Sequence, residues 1–250
     1  MGVVPASLGS PTPTPTEPRK TVLVFGGSFD PVHQAHVAVV KHIVARCKVN
    51  EVRLIPAGQP WQKACLTATA EQRVQMLRLA FDDALPVPYS IDLQEIDRAK
   101  QHIASYTVDT LSNLRSQLGN EVALILLIGA DQFHNFATWK NWQHIFNLAH
   151  IVVAARPGYS LQHDTLPSEF AALWQQANGS IEDLKQCPFG KTWLETELAW
   201  DISATRLREQ LQQAGQSKET TSLIPGKVLD YLQQHRIYDE TPKHQGSSTN

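Results

Sequence analysis

TVLVFGGSFDPVHQAHV, residues 21–37, carries three signals in a row: a β-rich run at Thr21–Phe25, a Gly26-Gly27 break, and a helix beginning near Val32. Two glycines at a strand end let backbone amides approach an anion with no Cβ between them. A helix start behind them offers unpaired N–H groups and the positive end of a dipole. His33 and His36, three residues apart, fall on one helix face and can aim both imidazoles at one anion. Converging N–H donors suit a phosphoryl group that gains charge during transfer. A Gly-Gly turn and two surface histidines also occur with no such role, and these residues alone leave that alternative open. The segment is not GxGxxG and has no Walker lysine, which removes the two usual nucleotide motifs.

Outward from this segment, apolar runs alternate with helix-like stretches. The first helix is expected to reach Cys47, and Glu51–Ile55 reads as a second strand stopped by Pro56. Thr69 with Gln72 makes a capping box for a helix to about Ala84, and a strand follows the Pro86/Pro88 break near Tyr89–Leu93. Ser105 is placed to cap a helix whose Val108, Leu111, Leu114 and Leu118 recur at helical spacing up to Gly119. Val122–Ile128 is wholly apolar, as in a strand covered on both faces, and Ile151–Ala155 is a second such run. One or two short helices are expected over Asp131–Phe146 and one over Ser168–Gln176, within an otherwise irregular 157–190. Thr192–Glu197 reads as a strand, Ser203 as the cap of a helix to about Ala214, and Pro225 as the first turn of a last helix ending near His235. This order predicts an α/β, doubly wound parallel sheet; too few strand–helix pairs are present for an eight-fold barrel.

Composition narrows the function class. Lysine plus arginine number 22 against 24 acids, a net charge of -2, which argues against a general nucleic-acid binder. Three scattered cysteines, Cys47, Cys65 and Cys187, suggest neither a disulfide framework nor a zinc site, so buried thiols in a reducing, cytoplasmic setting are expected. The longest apolar run is far shorter than the ~20 residues of a membrane helix, so no membrane partner is expected. Of 15 prolines, five fall within the first 20 residues, a composition that cannot offset its own ordering entropy. Residues 1–19 and 239–250 are expected to be disordered tails around a single domain at 20–238. The Pro/Thr-rich start lacks the basic and apolar parts of a signal peptide, and Ala6 stands where a myristoylation motif needs Ser or Thr.

Taken whole, Gly26–His36 (GGSFDPVHQAH) resembles the GG(T/S)FDPxHxGH signature of adenylyltransferases in the nucleotidylyltransferase superfamily. Ile202-Ser203-Ala204-Thr205-Arg206-Leu207-Arg208 resembles the second signature, ISxTxxR. Ala35 departs from the usual glycine, and Ser28 replaces the more frequent threonine while keeping its hydroxyl. Further elements resemble the bacterial nicotinate-nucleotide adenylyltransferase family from about Thr21 to Tyr238: Ser105–Leu111 (SYTVDTL), Ile128-Gly129-Ala130-Asp131 followed by Trp139, Arg156-Pro157-Gly158-Tyr159, and the Pro56–Lys63 loop PAGQPWQK, in which Trp61 is unusual. The resemblance implies a Rossmann-like nucleotidylyltransferase fold with a small helical C-terminal part. It also implies transfer of the adenylyl group of ATP to nicotinate mononucleotide, giving deamido-NAD and pyrophosphate in NAD biosynthesis.

Residue roles follow from the resemblance. Gly26, Gly27, Ser28, Phe29, Gly129, Asp131, Ile202, Ser203 and Thr205 would bind ATP, together with His33, His36 and Arg208, which would also serve catalysis. Lys63, Ser105, Tyr106, Thr107, Trp139 and Arg156 would bind the mononucleotide. The flat, carboxylate-bearing ring wants an aromatic face, from Trp139, and N–H donors, from Tyr106 and Thr107 at a helix start. Plain readings stand beside these: Trp139 as a core or rim residue, Ser105–Thr107 as ordinary capping, Asp131 as a helix cap, Arg156 as a surface ion pair. The substrate phosphate is already an anion, so no enzyme nucleophile is needed, and catalysis is positioning with charge neutralisation. Mg²⁺ is expected to bind mainly through ATP phosphates, with no protein metal cluster. Adenylation of nicotinamide mononucleotide or phosphopantetheine, or a catalytically silent nucleotide-binding regulator, stays open at this point, as does homo-oligomer formation.

Overall fold

The computed structural model describes residues 19–58, 66–155, 166–197, 204–212 and 217–238. The tails expected at 1–19 and 239–250 fall outside these residues, Arg19 excepted. Six strands form one sheet: β1 (Thr21–Gly27), β2 (Glu51–Pro56), β3 (Tyr89–Ile91), β4 (Ala123–Gly129), β5 (His150–Ala154) and β6 (Thr192–Glu195). Every pairing is parallel, in the order β3-β2-β1-β4-β5-β6. The order reverses between β1 and β4, and in such sheets ligands bind outside the carboxyl ends of the strands at that point. The doubly wound parallel sheet expected from the alternating pattern is therefore present.

The apolar strands are covered on both faces, as their composition requires. Alternation sends Leu23, Phe25, Ile125 and Leu127 to one face and Val22, Val24, Leu124, Leu126 and Ile128 to the other. The first face is covered by α1 (Gln34–Cys47), α2 (Ala70–Phe81), α9 (Ala204–Gln212) and α11 (Gly226–Gln234). The second is covered by α4 (Thr107–Leu118), α5 (Ala130–His134), α6 (Trp142–Ile145) and α7 (Ser168–Ala177). Aromatic rings dominate that second layer: Phe136 stacks on Phe170 at 5.3 Å, and Phe133 meets Trp174 edge-on at 4.6 Å. Cys47 is buried in the first layer, where burial pushes its thiol up to about 11, and with Cys187 it is free of disulfides. No helix among the described residues is long and apolar enough to cross a membrane.

Local chemistry sets the boundaries. Thr69 and Gln72 exchange both capping-box bonds at the start of α2, at 3.2 and 2.9 Å, as expected. Gly119 closes α4 at φ 86°, a left-handed geometry suited to glycine. The first helix starts two residues later than expected, because Val32 is fully buried ahead of it and His33 is the extended N-cap. Ser105 does not cap α4: Tyr106 occupies the N-cap position without a side-chain capping bond, and the Ser105 hydroxyl donates to Glu95 O. β6 stops at Glu195, two residues early, because the Glu197 N–H turns back onto the Glu195 carboxylate at 2.7 Å. The helices α3 (Gln94–Lys100), α8 (Asp183–Gln186) and α10 (Lys218–Ser222) carry too few apolar positions to show a period.

Candidate active site

The switch between β1 and β4 places Gly26-Gly27 on one side and Gly129, with Asp131 in the first turn of α5, on the other. A Cβ on Gly26 would make only an ordinary 3.8 Å contact with Ile55 O. Packing alone therefore does not demand glycine there. Behind the glycines Phe29 takes φ 49°, a left-handed conformation costing a non-glycine residue roughly 1–2 kcal/mol. Its fully buried ring packs edge-on against Phe25 at 5.6 Å and His36 at 5.1 Å. Any Phe29 contact with ATP therefore falls to its backbone.

His33 and His36 stack, ring centroids 3.6 Å apart and 21° from parallel. The His33 backbone N–H donates to His36 Nδ1 at 3.2 Å. A neutral His36 ring accepting at Nδ1 carries its proton on Nε2, where it can donate onward. The start of α1 is less open than its sequence suggests: His33 N–H is used in this bond, and Gln34 N–H donates to Leu223 O at 2.8 Å. Two of the amides expected to be open at this helix start are therefore already bonded within the protein.

One buried carboxylate holds the loop after β1. Asp30 accepts from Thr67 N–H at 2.9 Å, Ala68 N–H at 3.0 Å and the Tyr238 hydroxyl at 2.5 Å. Burial and this carboxylate push Tyr238 far above the usual phenol range, so it stays a neutral donor. Arg73, buried in α2, donates to Ser28 O at 2.9 Å, fixing the loop from below. Arg208 of α9 donates to Asp30 O at 2.6 Å. Two segments 178 residues apart, the histidine loop and the arginine helix, meet in that bond.

The second cluster lies at the start of α4. Tyr106 is the N-cap and Thr107 the first helical residue, with their amides at the positive end of a twelve-residue helix. Lys140, the residue after Trp139, stands over the Tyr106 ring at 4.2 Å. Trp139 is half-buried and rests on Phe136 at 4.9 Å. It is thus a rim aromatic with one part supported by the core.

The cytidylyltransferase-like family matches residues 24–210. A relative from Herminiimonas arsenicoxydans, named a probable nicotinate-nucleotide adenylyltransferase, is 42% identical over 219 residues, 88% of this chain and 97% of its own. One of the same name from Dechloromonas aromatica (strain RCB) is 40% identical over 218 residues, covering 86% and 96%. The chain belongs to the nicotinate-nucleotide adenylyltransferase family. A solved Plasmodium falciparum nicotinic acid mononucleotide adenylyltransferase, complexed with NaAD, shares the fold at TM-score 0.66 and 16% identity, covering 88% of this chain and 98% of its own.

For a member of this family the placement of the sequence-derived residues is informative. Gly26, Gly27, Ser28, Phe29, His33, His36 and Arg208 converge at β1, and Gly129 and Asp131 face them across the switch. Ser105, Tyr106, Thr107 and Trp139 form the second group. Lys63, Arg156, Ile202 and Ser203 lie outside the described residues, and Thr205 is placed only by its position in the first turn of α9. Sequence reasoning gave no role to Asp30, Arg73, Tyr238 or Glu95. Arg73 had a signal, since it stands four residues before Leu77 on the apolar stripe of α2. Asp30 had one too, in the motif string itself.

Proposed function

We propose that this chain transfers the adenylyl group of ATP to nicotinate mononucleotide, releasing pyrophosphate and forming nicotinate adenine dinucleotide for NAD biosynthesis. The observation that carries the reading is the Arg208–Asp30 O bond, which folds the second signature onto the first at the carboxyl end of β1. An oxygen of the mononucleotide phosphate attacks the α-phosphorus in line, and pyrophosphate leaves. His33 and His36 donate to the phosphates of ATP, His36 through Nε2 because its Nδ1 is held by the His33 amide. Both rings are fixed before substrate binds, so charge developing on the phosphoryl oxygens meets donors that need little reorganisation. Arg208, already anchored to the loop by one nitrogen, offers its guanidinium charge to the departing pyrophosphate. On the acceptor side the first-turn amides of α4 suit the pyridine carboxylate, and the half-buried Trp139 suits the ring face.

Magnesium enters this reading as part of the substrate, MgATP. The carboxylate of the phosphate loop, Asp30, is committed to Thr67, Ala68 and Tyr238, so phosphate oxygens and water suit the ion better than protein ligands. A three-residue set elsewhere, His42, Glu195 and Glu197, is bridged by Arg46 at 3.6 and 3.7 Å and reads as an ion-pair network. Pyrophosphate release from ATP, Mg²⁺ and nicotinate mononucleotide tests the proposal, with nicotinamide mononucleotide and phosphopantetheine competing at equal concentration. The nicotinate substrate is expected to win. Preference for either competitor would reassign the acceptor, and no turnover with any of them would leave a silent nucleotide binder.

A further inference from the structure

The segment after the last helix reaches the catalytic edge of the sheet through one side chain. α11 ends at Gln234; behind it Arg236 takes φ 50°, and Ile237 N–H bonds back to Leu232 O at 3.0 Å. A left-handed residue inside such a bond is a Schellman closure, which turns the chain sharply off the helix. Ile237 and Tyr238 then join the apolar layer on the first face of the sheet. Tyr238 is 3% exposed and takes φ 73°, a conformation that a bulky residue holds only where its surroundings fix it. Its hydroxyl donates to Asp30 Oδ1.

Three separate segments meet at Asp30. Its carboxylate accepts from Thr67 N–H and Ala68 N–H, which lead into α2, and from the Tyr238 hydroxyl. Its main-chain oxygen accepts from Arg208 Nη1 of α9. Both amides belong to one short segment, and the Tyr238 hydroxyl is the donor that reaches this carboxylate from elsewhere in the fold. Without it the carboxylate is tied to residues 67–68 alone. Any displacement of Asp30 carries with it the acceptor of the Arg208 bond and the chain leading to His33, three residues on. None of these bonds involves α4 or Trp139, where the acceptor substrate is placed.

We propose that Tyr238 is a positioning residue for adenylyl transfer: through the Asp30 carboxylate, its hydroxyl sets the place of the loop leading to His33 and of the main-chain oxygen that orients Arg208. It touches neither substrate. Its contribution falls on the ATP side and leaves the acceptor side alone. The inference rests on the adenylyl-transfer reading given above.

Steady-state pyrophosphate release, with each substrate varied in turn, tests it on wild type, Tyr238→Phe, Asp30→Ala, the double variant and Val228→Ala, with melting temperatures measured alongside. Tyr238→Phe removes only the hydroxyl. It is expected to lower kcat/KM for ATP about tenfold, while KM for nicotinate mononucleotide stays within about threefold. Asp30→Ala is expected to lose at least as much, and the double variant to stay within about threefold of it, because the hydroxyl acts through that carboxylate. Val228→Ala cuts a fully buried apolar side chain of the same helix. It is expected to lower the melting temperature while kcat/KM for ATP stays within about threefold per folded molecule. If Asp30→Ala fails to fold, the contrast between Tyr238→Phe and Val228→Ala decides. The proposal is overturned by a loss under about threefold in Tyr238→Phe, a larger rise in its mononucleotide KM, an equal loss in Val228→Ala, or a further loss in the double variant. A wild type without turnover defeats the functional reading and this inference together. Wild-type turnover with unaltered Tyr238→Phe kinetics defeats the inference alone.

Discussion

At the carboxyl edge of the sheet, His33 and His36 stack beside Gly26-Gly27 and Arg208 reaches the loop between them. At the amino edge, the same two residue types do different work. Arg115, near the end of α4, donates from Nη1 to Gly119 O and Val122 O, at 3.1 and 2.6 Å, and from Nη2 to Leu148 O and to Pro188 O at 3.2 Å. His150, the first residue of β5, is fully buried; its Nε2 bonds Cys187 O at 2.8 Å and its Nδ1 accepts from Lys191 N–H at 3.1 Å. Both residues are absorbed by backbone groups that the loop ends would otherwise leave unpaired. Residue type alone does not separate the two edges. The separation comes from where strand order reverses, with the stacked rings and the Gly26-Gly27 turn at the carboxyl edge.

The sharpest way to break this contrast is to truncate one side chain at each edge. His36→Ala is expected to lower kcat by about a hundred- to a thousandfold, the usual loss for a preorganised donor to developing charge. Its effect on stability should be modest, about 1–2 kcal/mol, because the bond from the His33 amide and the ring contacts with His33 and Phe29 are lost. A near-normal rate in a folded variant would move the catalytic role off this ring. Arg115→Met is expected to do the opposite. It strips charged donors from four carbonyls, lowering unfolding free energy by about 3–4 kcal/mol, with kcat per folded molecule unchanged. Denaturant titration beside active-site counting separates the two outcomes. A large kcat loss in Arg115→Met would mean that the edges are coupled.

The same contrast explains what the sequence makes legible. Strand alternation and apolar runs are local properties, so the parallel sheet follows from them, and the paired signatures mark one edge. Arg115 and His150 read like any polar residues near loops, because the carbonyls of Leu148, Pro188 and Cys187 that they bond lie 33 to 73 residues away. Glu95 sits in QEIDRAK, a segment with one buried apolar residue, Ile96, and so without a period to reveal a helix. Its half-buried place comes from Thr110 of α4 meeting it in space, which no spacing encodes. Tyr238 is hidden for the same reason: its hydroxyl, which completes the bonds of the Asp30 carboxylate, arrives 208 residues later.

A subtler test of the amino edge uses pH. Burial, together with the nearby charges of Arg115 and Lys191, lowers His150 from 6.5 to about 4 in the folded protein. Between those values the unfolded chain binds the proton more readily, so stability rises with pH in this window and is lost as pH falls through it. The full contribution is about 3 kcal/mol at most, present above roughly pH 6.5 and gone near pH 4. Glu95 works in the opposite sense, since its raised pKa makes the folded state lose stability as pH rises past the usual carboxylate range. The informative quantity is therefore the difference between wild type and His150→Gln, a variant that keeps a donor and an acceptor but does not titrate. Chemical unfolding from pH 4 to 7 is expected to show a steeper rise for wild type, the two curves running parallel above pH 6.5. Equal slopes across the whole range would mean that His150 is protonated as easily folded as unfolded, and the amino edge would then be no drier than the catalytic one.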